Sequence, residues 1–348
     1  MREKVNLAFK VLFRTYKGTN YATWLRGMAA IGVLTIHYGG LGLRELFPEG
    51  SLTSKFVNNL VDFGGQGPTI FFVASGYVLQ KYSRNLIPIW KIFLTRYLRL
   101  APAYIFVLFF SAILNKSVDQ LSIVMLVKKV LFLDIFFIDA YEFNPIGIGY
   151  FVVVEFWLTT FLLLGPLMFK GKGLIAQVQV TGILTLSFLF SYFASDLASV
   201  FGIPSYHLDI LKYQFFFILG MMCTRWHSQS NTQVPARISA ILSFVIALNL
   251  DTYLGYVAAI FAIAILLSED REGSRILFGK LPIFIGNICY SIYLTHIPVI
   301  IFAEEHFSEI QKPLVALLVI PLSTAIFLSI EQPFIKLGKR IAIARKRL

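Results

Sequence analysis

The residues in this chain that could do chemistry are few, and they stand where ionisable groups are costly. Arg26, His37, Glu155, Lys212, His296 and Glu331 interrupt long apolar runs, and Ser75 lies in Phe71-Phe72-Val73-Ala74-Ser75-Gly76. An ionisable group inside a segment of membrane-spanning length is a functional candidate by default. An imidazole changes charge near neutral pH, so it serves as base, nucleophile or proton carrier. A carboxylate beside it orients the ring and raises its basicity. A hydroxyl donates to a developing oxyanion. His37, Glu155 and Ser75 are therefore candidates for acid–base, nucleophilic or proton-carrying chemistry.

Spacing adds two relations. Arg26 and His37 are eleven residues apart, a helical rotation of about 1100° that leaves only about 20° after three turns. They share one helix face, about 16 Å apart along the axis. Gly27, Ala29, Ala30 and Gly32 keep that helix slim, so another group can lie closely against it. On spacing alone, a snorkelling Arg26 and a buried, hydrogen-bonded His37 explain the pair equally well. Arg96 and Arg99 stand at i and i+3, where two guanidinium groups can grip phosphates. Ordinary headgroup contact explains that pair too.

The elements that position these groups follow from composition. Of the 348 residues, 57% are hydrophobic and only 14% charged, against about 25% charged in a soluble domain. So few charges cannot cover a soluble surface, which excludes a soluble enzyme, a disordered chain and a disulfide scaffold. Cys223 and Cys289 sit in apolar runs without disulfide or zinc-ligand spacing. Apolar runs at 22–43, 67–83, 101–115, 147–169, 174–193, 208–224, 235–251, 252–268, 281–303 and 313–335 predict an all-α, polytopic membrane bundle of about ten helices. Residues 86–100 then form an inner loop in which Trp90, Phe93 and Tyr97 keep helical spacing.

The net charge of +12 acts as an address in such a chain. With the N-terminus inside, 23 Lys and Arg fall in cytoplasmic segments and six in outer loops, so both termini are expected to be cytoplasmic. Nucleic acid is not the expected partner. Residues 1–20 lack a signal-peptide core and resemble an amphipathic helix on the inner surface. Residues 121–138 carry Lys128 and Lys129 at their middle, each costing about 2.5–3.5 kcal/mol at a bilayer centre. They are expected to be interfacial or re-entrant. The whole of 1–348 is read as a single membrane-embedded domain, with no C-terminal soluble domain. Counting from the outer helix ends places His37, Ser75, Glu155 and His296 about 9–12 Å deep, in one shared pocket. Arg26 and Glu331 fall near the inner interface, where they are expected to pair.

The set resembles the acyltransferase-3 family of membrane acyltransferases. The resemblance rests on Arg26-x10-His37, Phe71-Phe72-x-x-Ser75-Gly76, Arg96-x-x-Arg99 followed by Pro102, and Glu155 in Tyr150-Phe-Val-Val-Val-Glu-Phe-Trp. It continues through Gly286-Asn-Ile-Cys-Tyr-Ser-Ile-Tyr-Leu-Thr-His296 and Glu331-Gln-Pro333, over almost the whole chain. Gly67-Pro68 departs from the Gly-Val usual before the Phe pair. The resemblance implies transfer of an acyl group, usually acetyl, from cytosolic acetyl-CoA to a hydroxyl of a glycan, lipid-linked sugar or small molecule at the inner cell membrane. It implies His37 as the catalytic residue and Arg96 and Arg99, with Arg26, at the CoA end. Glu155 would orient His37, Ser75 or Tyr293 would donate to the thioester oxygen, and Tyr290, Tyr293 and His296 would line the pocket. No metal is expected. Some relatives carry an extracytoplasmic SGNH hydrolase-like domain, which is not expected here.

Such chemistry threads the long CoA arm along the small-residue face of the first helix, from the arginines to His37. His37 is then either a general base or a nucleophile that carries the acyl group, and both routes stay open. A proton-coupled transporter would also bury His and Glu, and a glycan-exporting or polymerising protein would share the apolar composition. The first would more often show inverted repeats, and the second an Arg-rich outer loop.

Overall fold

The computed structural model describes residues 11–12, 19–39, 44, 47–83, 88–137, 139–140, 143–146, 149–161, 174–201, 209–227, 233–247, 254–268, 280–307 and 317–343. Among them there is no strand. The helices are α1 (Asn20–Leu34), α2 (Leu52–Gly64), α3 (Gly67–Ser83), α4 (Ile89–Leu114), α5 (Ile123–Val130), α6 (Tyr150–Phe161), α7 (Leu174–Tyr192), α8 (Ala194–Phe201), α9 (Asp209–His227), α10 (Gln233–Ala247), α11 (Leu254–Leu267), α12 (Lys280–His306), α13 (Val319–Ile326) and α14 (Gln332–Ile343). Each expected apolar run holds a helix. Within α4 the stretch Trp90–Leu114, and α12 over Lys280–His306, are long and apolar enough to cross a membrane. The open faces of α7 and α10 are apolar as well, with Leu186, Phe188 and Phe190 on one and Ile238, Ile241 and Val245 on the other exposed. Apolar faces of this extent suit contact with lipid rather than water.

The core is built where helices touch backbone to backbone. α1 packs against α12 and α3, and α3 against α9. Gly27 faces the Pro282 carbonyl and Gly286 faces the Thr23 carbonyl, so a methyl on either would collide with backbone. Gly76 and Gly220 make the same reciprocal contact between α3 and α9, against the carbonyls of Phe217 and Val73. Between helices in lipid, where hydrophobic exclusion is weak, this close approach supplies dispersion attraction.

Two placements differ from the expectation. First, α3 does not begin at the end of α1. The α2–α3 corner seats Gly64 on Gly32, and Gly67 on Ala29 and Val33. Pro68 falls in the first turn of α3, where its missing N–H has no helical role. Second, the expected loop 86–100 is helical, because α4 runs unbroken from Ile89 through Pro102. The helical spacing of Trp90, Phe93 and Tyr97 extends the helix, and Arg96 and Arg99 ride on it. Residues 121–137 turn back along α4. The Tyr97 hydroxyl donates to the Val130 carbonyl at 3.1 Å, and Phe132 packs on Tyr104 with ring centroids 5.2 Å apart. The chain then returns to Ser111, whose hydroxyl donates to the Pro145 carbonyl. Ser111 stands fourteen residues from Tyr97, about 21 Å along the helix, so the segment runs down α4 and back again. Lys129, buried at its deepest turn, is paired with buried Asp134. That partner is what makes burial of the lysine tolerable.

Most of the expected amphipathic segment 1–20 lies outside the described residues, as does the Lys212 side chain. Of the first, the Leu12 carbonyl accepts from Asn287 Nδ2 of α12 at 2.7 Å.

Candidate active site

Two groups of polar side chains are buried in the bundle, one at each end of an apolar cleft. The first gathers around three guanidinium groups. Arg26 Nη2 donates to Ser75 Oγ at 3.0 Å, and Ser75 Oγ donates to Glu155 Oε1 at 3.4 Å. Arg96 Nη1 lies 3.7 Å from the same carboxylate oxygen. Arg99 Nε lies 3.9 Å from Glu331 Oε1, while Ser291 Oγ donates to Glu331 Oε2 at 3.0 Å. Glu331 thus pairs with Arg99, and not with Arg26 as expected. These charges are buried: Arg26, Ser75, Glu155 and Glu331 are each less than a tenth exposed. Buried charges persist only when paired and hydrogen-bonded, and here six elements converge to meet that demand. Arg96 and Arg99 thus each face a buried carboxylate.

The second group is a histidine pair. The rings of His37 and His296 lie 5.4 Å apart, tilted at 45°. His37 is half-buried, whereas His296 is fully buried. His296 Nδ1 lies 3.1 Å from the Ile292 carbonyl, and the Tyr38 hydroxyl donates to the His296 carbonyl at 3.0 Å. Among the described residues no hydrogen bond, ion pair or ring contact joins His37 to Glu155 or Ser75. The expected common depth fails because α3 begins beside Gly32 and Val33. Ser75, eight residues on, therefore lies level with Arg26 rather than with His37.

A narrow apolar cleft, with about 20 Å³ of free space, lies between the groups. Ala29, Ala30 and Val33 of α1 form one wall, and Phe71, Phe151, Tyr290 and Tyr293 contribute to the others. Its ends are defined by ring contacts. Phe71 lies under the Arg26 guanidinium at 5.3 Å, and Tyr293 lies 5.6 Å from the His296 ring. Phe151 packs on Tyr293 at 4.5 Å. The Tyr290 hydroxyl donates to the Leu100 carbonyl at 2.7 Å, so it ties α12 to α4 and offers the cleft its ring. Among the described residues no three His, Cys, Asp or Glu side chains converge as metal ligands do.

Two features have no signature in a 3.6-residue period. α1 widens into a π-turn at Thr35–Gly39, which carries His37. A second π-turn, Phe327–Glu331, carries Glu331 between α13 and α14. Such turns are rare and concentrate at functional sites. Tyr38, Phe151 and Ser291 were likewise not singled out by their chemistry. Each acts through a contact with a residue more than a hundred, or some forty, positions away, which no local pattern encodes.

The acyltransferase-domain family matches residues 19–331, from the start of α1 to the second π-turn. The chain belongs to the acyltransferase-3 family. Its relatives include O-acetyltransferase OatA of Staphylococcus aureus, in strains NCTC 8325 and COL, each 23% identical over 360 aligned positions. These alignments cover 90% of this chain and 55% of the relative, so the chain spans about half the length of the curated relatives it matches. No solved structure matches. Every motif residue discussed above falls inside or at the edge of the matched acyltransferase domain, and the two buried groups with the cleft between them are its polar interior.

Proposed function

We propose that this acyltransferase domain moves an acetyl group from cytosolic acetyl-CoA to a hydroxyl of a surface glycan or lipid-linked sugar. It would do so as a multi-pass protein of the inner cell membrane, with about ten spans and both termini cytoplasmic. The observation that carries this reading is the order of parts along α1: the arginine cluster, then a small-residue and aromatic wall, then the histidine pair. An acyl-CoA has the same order of parts: phosphates, a thin arm, then the thioester.

In this reading Arg96, Arg99 and Arg26 receive phosphate oxygens, which suit a planar guanidinium. Ser75 and Glu155 hold Arg26 and Arg96 at the cleft rather than orienting His37. The arm passes Ala29, Ala30 and Val33, where the cleft widens to admit it. Tyr293, between Phe151 and His296, donates to the thioester oxygen as it gains charge. His37 takes the proton of the acceptor hydroxyl while its oxygen attacks the thioester carbon. The C–S bond breaks, the proton passes to the CoA sulfur, and an ester remains. In the second route the His37 ring itself takes the acetyl group first and then yields it to the hydroxyl. Acetyl retained on protein incubated with acetyl-CoA alone would select that route.

Purified protein in lipid nanodiscs should release CoA thiol from acetyl-CoA. Ala30→Trp, which fills the middle of the cleft, should raise KM for acetyl-CoA roughly tenfold, as expected of about 1–3 kcal/mol of overpacking. Absence of thiol release, together with solute flux across vesicles, would replace this reading with the proton-coupled transporter.

A further inference from the structure

We infer that His296 is a specificity residue that accepts a hydrogen bond from a second hydroxyl of the acceptor, adjacent to the one acylated, so that vicinal diols are preferred to isolated alcohols. The inference rests on the proposed acyl transfer at His37. It starts from an unsatisfied atom. A carbonyl oxygen only accepts, so the contact of Nδ1 with the Ile292 carbonyl at 3.1 Å places the ring hydrogen on Nδ1. Nε2 of the neutral ring is then a bare lone pair. It is buried and has no hydrogen-bond partner among the described residues. Leaving a buried acceptor unmade costs about 1–3 kcal/mol, and folded proteins keep few such atoms without a use.

The surroundings say what would use it. The neighbouring ring is His37, 5.4 Å away between centroids. His37 makes no hydrogen bond among the described residues and is half-buried, so the pair opens on the His37 side and closes on the His296 side. A ligand carrying two donors on adjacent atoms can therefore satisfy both rings, giving one hydrogen to His37 and one to His296. The His296 ring is also fixed. The Ile292 carbonyl holds Nδ1, the Tyr38 hydroxyl holds its backbone carbonyl at 3.0 Å, and Tyr293 flanks it. A fixed lone pair discriminates, because a ligand without the second donor leaves it unpaired. An amide N–H of the donor arm is the other hydrogen that could reach it.

The test uses the full chain in nanodiscs, acetyl-CoA as donor, and cis-cyclohexane-1,2-diol or cyclohexanol as acceptor, with esters measured by mass spectrometry. Wild type should favour the diol by roughly tenfold to a hundredfold in kcat/KM. His296→Phe should bring that ratio close to one while cyclohexanol is still acylated. His296→Gln, whose amide oxygen stands near the Nε2 position, should restore part of the preference. If the Phe variant does not fold, His296→Asn replaces it, since its shorter amide reaches only the Nδ1 position. The proposal is overturned if wild type shows no preference, or if the variants keep it. A rise in KM for acetyl-CoA with the diol preference unchanged overturns it in favour of the donor-arm amide. Turnover of acetyl-CoA with no ester from either acceptor also overturns it. Failure of the underlying reading looks different: no acetyl-CoA turnover by any form of the protein.

Discussion

His37→Ala is expected to lower kcat for acyl transfer about a hundredfold to ten-thousandfold, the usual contribution of a positioned general base. KM for acetyl-CoA should stay within about twofold, because the phosphates bind at the far end of the cleft and make no use of the imidazole. His37 stands half-buried on a π-turn beside the fully buried His296, so it is the more accessible of the two imidazoles at that end. The variant should fold normally. His37 makes no hydrogen bond among the described residues, so its removal strands no partner there. Steady-state kinetics with the variant in nanodiscs check both numbers. Near-normal turnover would defeat the base and the acyl-carrier routes together.

The second large effect concerns the opposite end. Glu155→Leu should destabilise the protein by about 3–5 kcal/mol, because it strips a carboxylate from the largely enclosed Arg96 and removes the acceptor of the buried Ser75 hydroxyl. The double variant Arg96→Met/Glu155→Leu should recover most of that loss, since a buried ion pair replaced by apolar groups of similar volume is often neutral. The recovered protein should nonetheless bind acetyl-CoA poorly, with a guanidinium gone from the donor end. Thermal unfolding in nanodiscs reads the first effect and calorimetric titration with acetyl-CoA the second. Stability that fails to return in the double variant would mean the pair does more for the fold than neutralise itself. Full acetyl-CoA affinity in it would remove Arg96 from the donor site.

Much of this was legible in the sequence because each clue was local. Each of the ten apolar runs holds a helix among the described residues, and Lys128 and Lys129 set 121–138 apart from those runs. Arg26 and His37 do bracket a small-residue wall, as their spacing on one helix demanded. Partner choice was not legible. Depth counted along each helix assumes that every helix begins at the same plane, and α3 begins beside Gly32. That single offset moved Ser75 from the His37 end to Arg26. Glu155 sits there too, one turn beyond Phe151, facing Arg96. The pairing of Glu331 with Arg99 depends on α4 extending back to Ile89, through residues whose charges read as loop. The two π-turns are backbone features set by packing, and no residue pattern announces them.

The central claim is that one donor molecule lies along the cleft with its acyl end at the histidine pair. Photo-crosslinking with an acyl-CoA that carries a photoreactive group on the acyl chain, followed by peptide mapping, reads this directly. Label at Ile36–Tyr38 or Tyr293–His296, competed away by acetyl-CoA and lost in Ala30→Trp, is the predicted result. Label confined to the open faces of α7 and α10, indifferent to acetyl-CoA, would contradict it.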